Sequence, residues 1–272
     1  MKRILCLLLA LLFLPAAFAE EDFSIEETVL LSDDGEEIIL FTTDDSADAV
    51  EEETVIVVPA IENEAREDFI DRIIALGKEL YTAANGRRQR AHYSSDIYVC
   101  KNFTTYLFRK CRDDFQMAEY PGTQLVIPNN LKAAKCKPYS YGFYWEEVAA
   151  SKGNPFEVGA QFRYDAALSY DENLALAVDF MKQAQKGDFM QMSAKYEYGT
   201  GAHSAIIIAD YDAENNAIHW MDSNMLGGSY DGIRYGYVQW DAINTPEWWA
   251  KAFCHKTRGA TLYRLRSDIE YR

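Results

Sequence analysis

The sequence predicts an α+β domain, and three observations carry that prediction. Apolar residues recur at helical spacing over residues 66–84 and again from about Tyr98 to Lys110. From Gly187 onward the texture changes to short β-type runs separated by turn residues. Helices first and hydrogen-bonded hairpins afterwards give helices packed on an antiparallel sheet.

The first helix places Phe69, Ile70, Ile73, Ile74, Leu76 and Leu80 on one side and ends at Asn85-Gly86. The segment "RRQRAHYSSD" follows as a linker, with "GRRQR" read as a solvated loop open to a protease. Ser95 or Asp96 is then the expected cap of a helix over Tyr98–Lys110. On that helix Cys100, Phe103, Thr104, Leu107 and Cys111 share one face, because eleven residues return to nearly the same azimuth. Residues 112–170 read as loops with a short helix near "YWEEVAAS". A third helix is expected over 172–185, ending at Gly187. The strands are then "DFMQMSA", "HSAIIIADY", "AIHWMDS", "IRYGYVQW" and "ATLYRLR", with "DAENN" as a hairpin turn between the second and third. Thr245 caps a last helix, "TPEWWAKAF", with Pro246 at its first position.

The N-terminus bounds the compartment. Lys2 and Arg3, the apolar run 4–14 and the small residues Ala17 and Ala19 form a secretory leader over 1–19. The leader's run is too short for a permanent span of about 20 residues, and no later stretch reads as a membrane segment. The mature protein is therefore expected to be secreted or periplasmic. Charge is one-sided only in the next segment: residues 20–68 carry 19 acidic residues and one Arg, whereas residues 69–272 carry 24 of each sign. Residues 20–65 thus read as an acidic, mobile arm or pro-segment, with "ETVLL" and "ETVIVV" as β-prone patches that alternatively dock as strands. Residues 66–272 form the folded domain. Its balanced charge and lack of a basic patch exclude nucleic acid as an expected partner.

Four cysteines follow the leader: Cys100, Cys111, Cys136 and Cys254. An oxidising compartment favours two disulfides. If Cys100 is instead a free thiol, one pair forms among the other three and one cysteine is left over. A nucleophilic thiol needs a lowered pKa, which a helix N-terminus and a nearby imidazole supply. Of His92, His203, His219 and His255, His203 is best placed, since it follows "GTG" and opens the strand "HSAIIIA". On the next strand Ile218, Trp220, Asp222 and Asn224 leave on one face, with His219, Met221 and Ser223 on the other. Either Asp222 or Asn224 can orient the imidazole, completing nucleophile, base and orienter. His255 reads as a surface residue, and "DYDAEN" as a hairpin turn rather than a calcium loop.

These motifs, in this order, resemble the papain-like cell-wall hydrolases: "C-x-N-F" at a helix start, Gly187-Asp188 entering a strand, "H-S-A-I-I-I", then "I-x-W-x-D-x-N". The chain is similar to the NlpC-type peptidases and CHAP amidases, nearest the CHAP and putative amidase branches, over roughly residues 66–240. The resemblance implies a papain-like fold with Cys100 as nucleophile and His203 as base. Asp222 stands in the acidic third position and Asn224 in that of the Asn two further on. It implies hydrolysis of an amide bond in a peptide or peptidoglycan substrate, with no cofactor and no metal. Val99 and Lys101 flank the cysteine where NlpC-type members carry "D-C-S-G", and an NlpC alignment would put His219 at the third position instead. The backbone N–H of Cys100 and the side chain of Tyr93 are the candidate oxyanion donors. Two other readings stand beside this one: a non-catalytic binding or scaffold protein of the same fold, and an acyl-transfer or lipid-processing relative.

Overall fold

The structure is a computed structural model that describes residues 26–31, 37–42, 64–87, 89–90, 97–127, 148–196, 199–225 and 235–266. The leader, the "ETVIVV" patch, His92, Tyr93, Ser95, Asp96 and Cys136 lie outside them. The chain divides into two units, Met1–Ala60 and Ile61–Arg272. In the first, β1 (Glu26–Leu31) and β2 (Glu37–Thr42) pair as an antiparallel hairpin. β1 covers the "ETVLL" patch, and its partner is a segment the sequence did not single out.

The second unit opens with α1 (Glu64–Ala84), which Asn85 and Gly86 end at φ 50° and 65°. The short β3 (Gln89–Arg90) follows, so the end of "GRRQR" is an edge strand rather than a loop. Next come α2 (Cys100–Cys111), β4 (Phe156–Arg163) and α3 (Tyr170–Met181). Strands β5 (Phe189–Tyr196), β6 (Gly199–Ile207), β7 (Ile218–Met225) and β8 (Tyr235–Asn244) precede α4 (Pro246–Phe253), and β9 (Gly259–Leu265) is last. Among the described residues, the seven strands of this unit form one sheet in the order β3-β8-β7-β6-β5-β9-β4, and every pair is antiparallel.

Helices cover both faces of that sheet. On one face Phe69, Ile73, Phe103 and Leu107 of α1 and α2 pack on Phe189, Ile206, Met221 and Tyr263. On the other, Phe180 of α3 and Trp249 and Phe253 of α4 pack on Met190, Ile207, Trp220 and Leu262. Successive strand residues point to opposite faces, so "AIII" is apolar at every position because both faces are buried.

Three expectations are corrected. α3 starts two residues earlier than 172, where Ser169 and Glu172 form a reciprocal capping box, and it stops at Met181. The short helix near "YWEEVAAS" is, among the described residues, a single 3-10 turn over Ala150–Lys152. "FEVGAQFR", left within a mixed region, is strand β4. Its bulge at Gly159 puts Phe156 and Phe162 in opposite cores although both are even-numbered, which hides the period of two. The Gly187-Asp188 pair is architectural. Asp188 is fully buried and takes two hydrogen bonds of 2.8 Å from Arg264 on β9.

Candidate active site

The site forms where β6 and β7 part. Their ladder holds only Ile206↔Met221 and Ile207↔Trp220, although β6 runs back to Gly199 and β7 on to Met225. The N-terminus of α2 meets both strands there, and three side chains converge from three elements. His203 sits mid-strand on β6 rather than at its mouth, a correction. "GTG" is extended and continues the pairing with β5 out to Tyr196↔Gly199. The ring is reachable because the neighbouring strand departs, not because β6 begins there.

His203 Nε2 lies 2.7 Å from Asp222 Oδ2, and both side chains are about 95% buried. The carboxylate accepts, so Nε2–H donates. The thiol of Cys100 interacts with the same ring, and with Nε2 on Asp222 the Nδ1 nitrogen is the one left to face it. Asn224 lies two residues further along β7, exposed, in the wall of an adjoining cavity. His219 leaves on the other side, where its Nδ1 meets Asp241 Oδ1 at 2.7 Å. Asp241 is the left-handed residue of a bulge in β8, with φ 45°.

Electrostatics favour an ion pair. Burial pushes the Cys100 thiol up. The His203 hydrogen bond and charge, with backbone N–H groups of Ser204 and Lys101, outweigh it and leave the thiol below its ordinary 9.0. Burial likewise pushes His203 down, but hydrogen bonds to Asp222 and Cys100 and both negative charges raise it well above 6.5. The start of α2 is built for this. Val99 occupies the cap position in place of the expected Ser95 or Asp96 and offers no side-chain cap. A Ser or Asp cap adds about 0.5–2 kcal/mol to a helix. Here the backbone N–H of Lys101 instead helps to lower the Cys100 thiol.

Two further features escaped the sequence reading. Trp249, 1% exposed, stacks over the His203 ring at 6.1 Å and 23° and shields that face of the imidazole from water. The signal lies in "EWWAKAF", whose helical pattern does not say which strand the helix covers. The second is Gly236 on β8. A Cβ there would overlap the Tyr98 carbonyl oxygen and lie 2.8 Å from Tyr98 Cβ, so only glycine lets the chain entering α2 cross β8 this closely. Gly236→Ala should cost about 1–3 kcal/mol of stability, read as a lowered melting temperature. It should reduce activity further by displacing Cys100. A melt and a rate indistinguishable from wild type would show that the crossing is loose.

Asp222 commits one oxygen to His203, and its other, Oδ1, is buried with no partner among the described residues. Cys100, Cys111 and Cys254 are all free thiols, a correction both to two disulfides and to a single pair among Cys111, Cys136 and Cys254, of which Cys136 lies outside the described residues. Cys111 and Cys254 are buried, and burial raises both to about 11. His255, expected at the surface, is half-buried. Segment 210–215 is a turn in which Asp212 accepts from the Asn215 backbone and side chain.

Beside His203 and Asp222 lies a cavity of about 700 Å³. No protein-family model matches this chain, and no curated protein or solved structure matches it either.

Proposed function

We propose that this chain is a cysteine peptidase or amidase that cleaves amide bonds, within the peptide part of bacterial cell wall, outside the cytoplasm. The convergence of Cys100, His203 and Asp222, with His203 hydrogen-bonded to Asp222, carries this reading. It joins a thiol of lowered pKa, an imidazole of raised pKa and a buried carboxylate. The helix-borne cysteine and the imidazole and carboxylate on adjacent strands support a papain-like fold of the NlpC and CHAP type. The cell-wall substrate rests on that resemblance and on the leader.

The Cys100 thiolate attacks the carbonyl carbon, forming a C–S bond. The oxyanion is met by backbone N–H groups at the start of α2. The C–N bond then breaks as the His203 proton passes from Nδ1 to the leaving amine. Neutral His203 next takes a proton from water, whose oxygen attacks the thioester, and the thiolate leaves. Asp222 fixes the ring and stabilises the imidazolium in both halves. An acyl-transfer enzyme would share the thioester and pass it to an acceptor other than water.

Incubation with purified cell-wall peptides, with mass spectrometry of the products, tests this. New amine and carboxyl ends should appear with the wild-type chain and not with Cys100→Ala. Release by both chains, or by neither, contradicts the proposal, and products carrying an acceptor in place of a carboxylate identify acyl transfer.

A further inference from the structure

We propose that the cavity beside His203 is the leaving-side subsite of this hydrolase, and that it takes an uncharged apolar side chain of the fragment that departs as the amine. The inference rests on the enzyme reading above and adds its specificity.

Position gives the side. His203 and Asp222 form part of the cavity wall, and Cys100 does not. The acyl half of the substrate stays on sulfur, whereas the leaving nitrogen receives its proton from the imidazole. The fragment attached to that nitrogen is therefore handed to the cavity.

Chemistry gives the class. Trp220, Trp248, Met192 and Ile243 supply apolar wall, and Asn224 and Gln239 supply amides that both donate and accept. That combination fits an apolar side chain together with the peptide groups on either side of it. The charged groups among the described lining residues are already neutralised. Asp222 is held by His203, and Lys251 by Glu247 at 2.6 Å. A charged side chain would enter without a counter-ion, which is unfavourable away from water. Trp248 and Ile243 remain 49% and 56% exposed at the rim, large apolar surface that the described residues leave uncovered. Trp248 is braced against Trp220 at 5.7 Å and 20°, so its ring is a fixed surface rather than a loose one. Aliphatic Met192 and Ile243 favour a side chain over a sugar ring.

The test uses full-length Cys100→Ala, which binds without turnover, and reads quenching of intrinsic tryptophan fluorescence. The probes are the dipeptide amides Leu-Ala, Asp-Ala and Lys-Ala, each with a free amine, and N-acetylchitobiose. Leu-Ala amide should bind about tenfold or more tighter than the two charged peptides. Adding Ile243→Asp or Trp248→Ala should remove most of that preference. Ile243 is more than half exposed, so its variant should keep the wild-type melting temperature. Equal affinity for the three peptides, tighter binding of N-acetylchitobiose, or a preference that survives both variants would overturn the proposal. Binding to Cys100→Ala does not depend on catalysis. A wild-type chain that binds Leu-Ala amide selectively but cleaves nothing would sink the enzyme reading and leave the subsite standing.

Discussion

Asp222→Asn should lower kcat by about 10³–10⁴-fold with the fold intact. The carboxylate accepts the Nε2–H of His203 at 2.7 Å in a site that excludes water, so the pair is worth more than it would be at the surface. Asparagine has nearly the same shape and removes the charge. The imidazolium then loses the hydrogen bond that is the largest single cause raising its pKa, and the thiolate–imidazolium pair collapses towards neutral thiol and imidazole. Orientation suffers too, since an amide can present its NH₂ to Nε2 and favour the wrong tautomer. Steady-state rates with a thermal melt separate chemistry from stability. A loss below about tenfold in a chain that melts normally would mean that Asp222 does not act through His203.

The second large effect is on the pH profile. Cys100 titrates below its ordinary 9.0 and His203 above its ordinary 6.5, so the ion pair fills the interval between the lowered thiol and the raised imidazole. kcat/KM should therefore be bell-shaped. Its acid limb falls as the thiolate gains a proton, and its alkaline limb falls, well above 6.5, as the imidazolium loses one. The limbs belong to the coupled pair. Stability follows the same signs. His203 stabilises fully below its unfolded value near 6.5, and its contribution is lost as pH rises through the raised folded value. Cys100 stabilises above its unfolded value near 9, and its contribution is lost as pH falls through the lowered one. In His203→Ala, burial still acts on the thiol while the hydrogen bond and the charge are gone. The acid limb of Cys100 reactivity should then move to alkaline pH. A limb that does not move would show that the helix N-terminus alone activates the sulfur.

How much of this was legible in the sequence depends on what each signal measured. α1 and α2 were readable because their apolar residues repeat at 3.6 over several turns and bury a single face. β6 and β7 were readable as strands from apolar, β-branched runs, and alternation put Trp220, Asp222 and Asn224 together on the cavity side. The choice between Asp222 and Asn224 was not legible, since both leave on one face and only the parting of β6 from β7 brings Asp222 to the ring. β4 and the end of β8 were obscured by bulges at Gly159 and Asp241, each of which moves later residues to the other face. The place of His203 is not legible because "GTG" looks like a loop, while the glycines sit in a paired strand. The stacking of Trp249 on His203 joins residues 46 apart in sequence. Local pattern carries no information about such a contact.

The central claim is that Cys100 is a thiolate held by His203, and alkylation tests it most directly. The native, unreduced protein is treated with iodoacetamide at pH 6, and modified cysteines are located by mass spectrometry over time. Cys100 should react far faster than Cys111 and Cys254, whose burial raises their thiols to about 11. His203→Ala should slow Cys100 sharply at this pH. A Cys100 found in a disulfide, or one that reacts no faster than Cys111 and Cys254 at pH 6, would contradict the account.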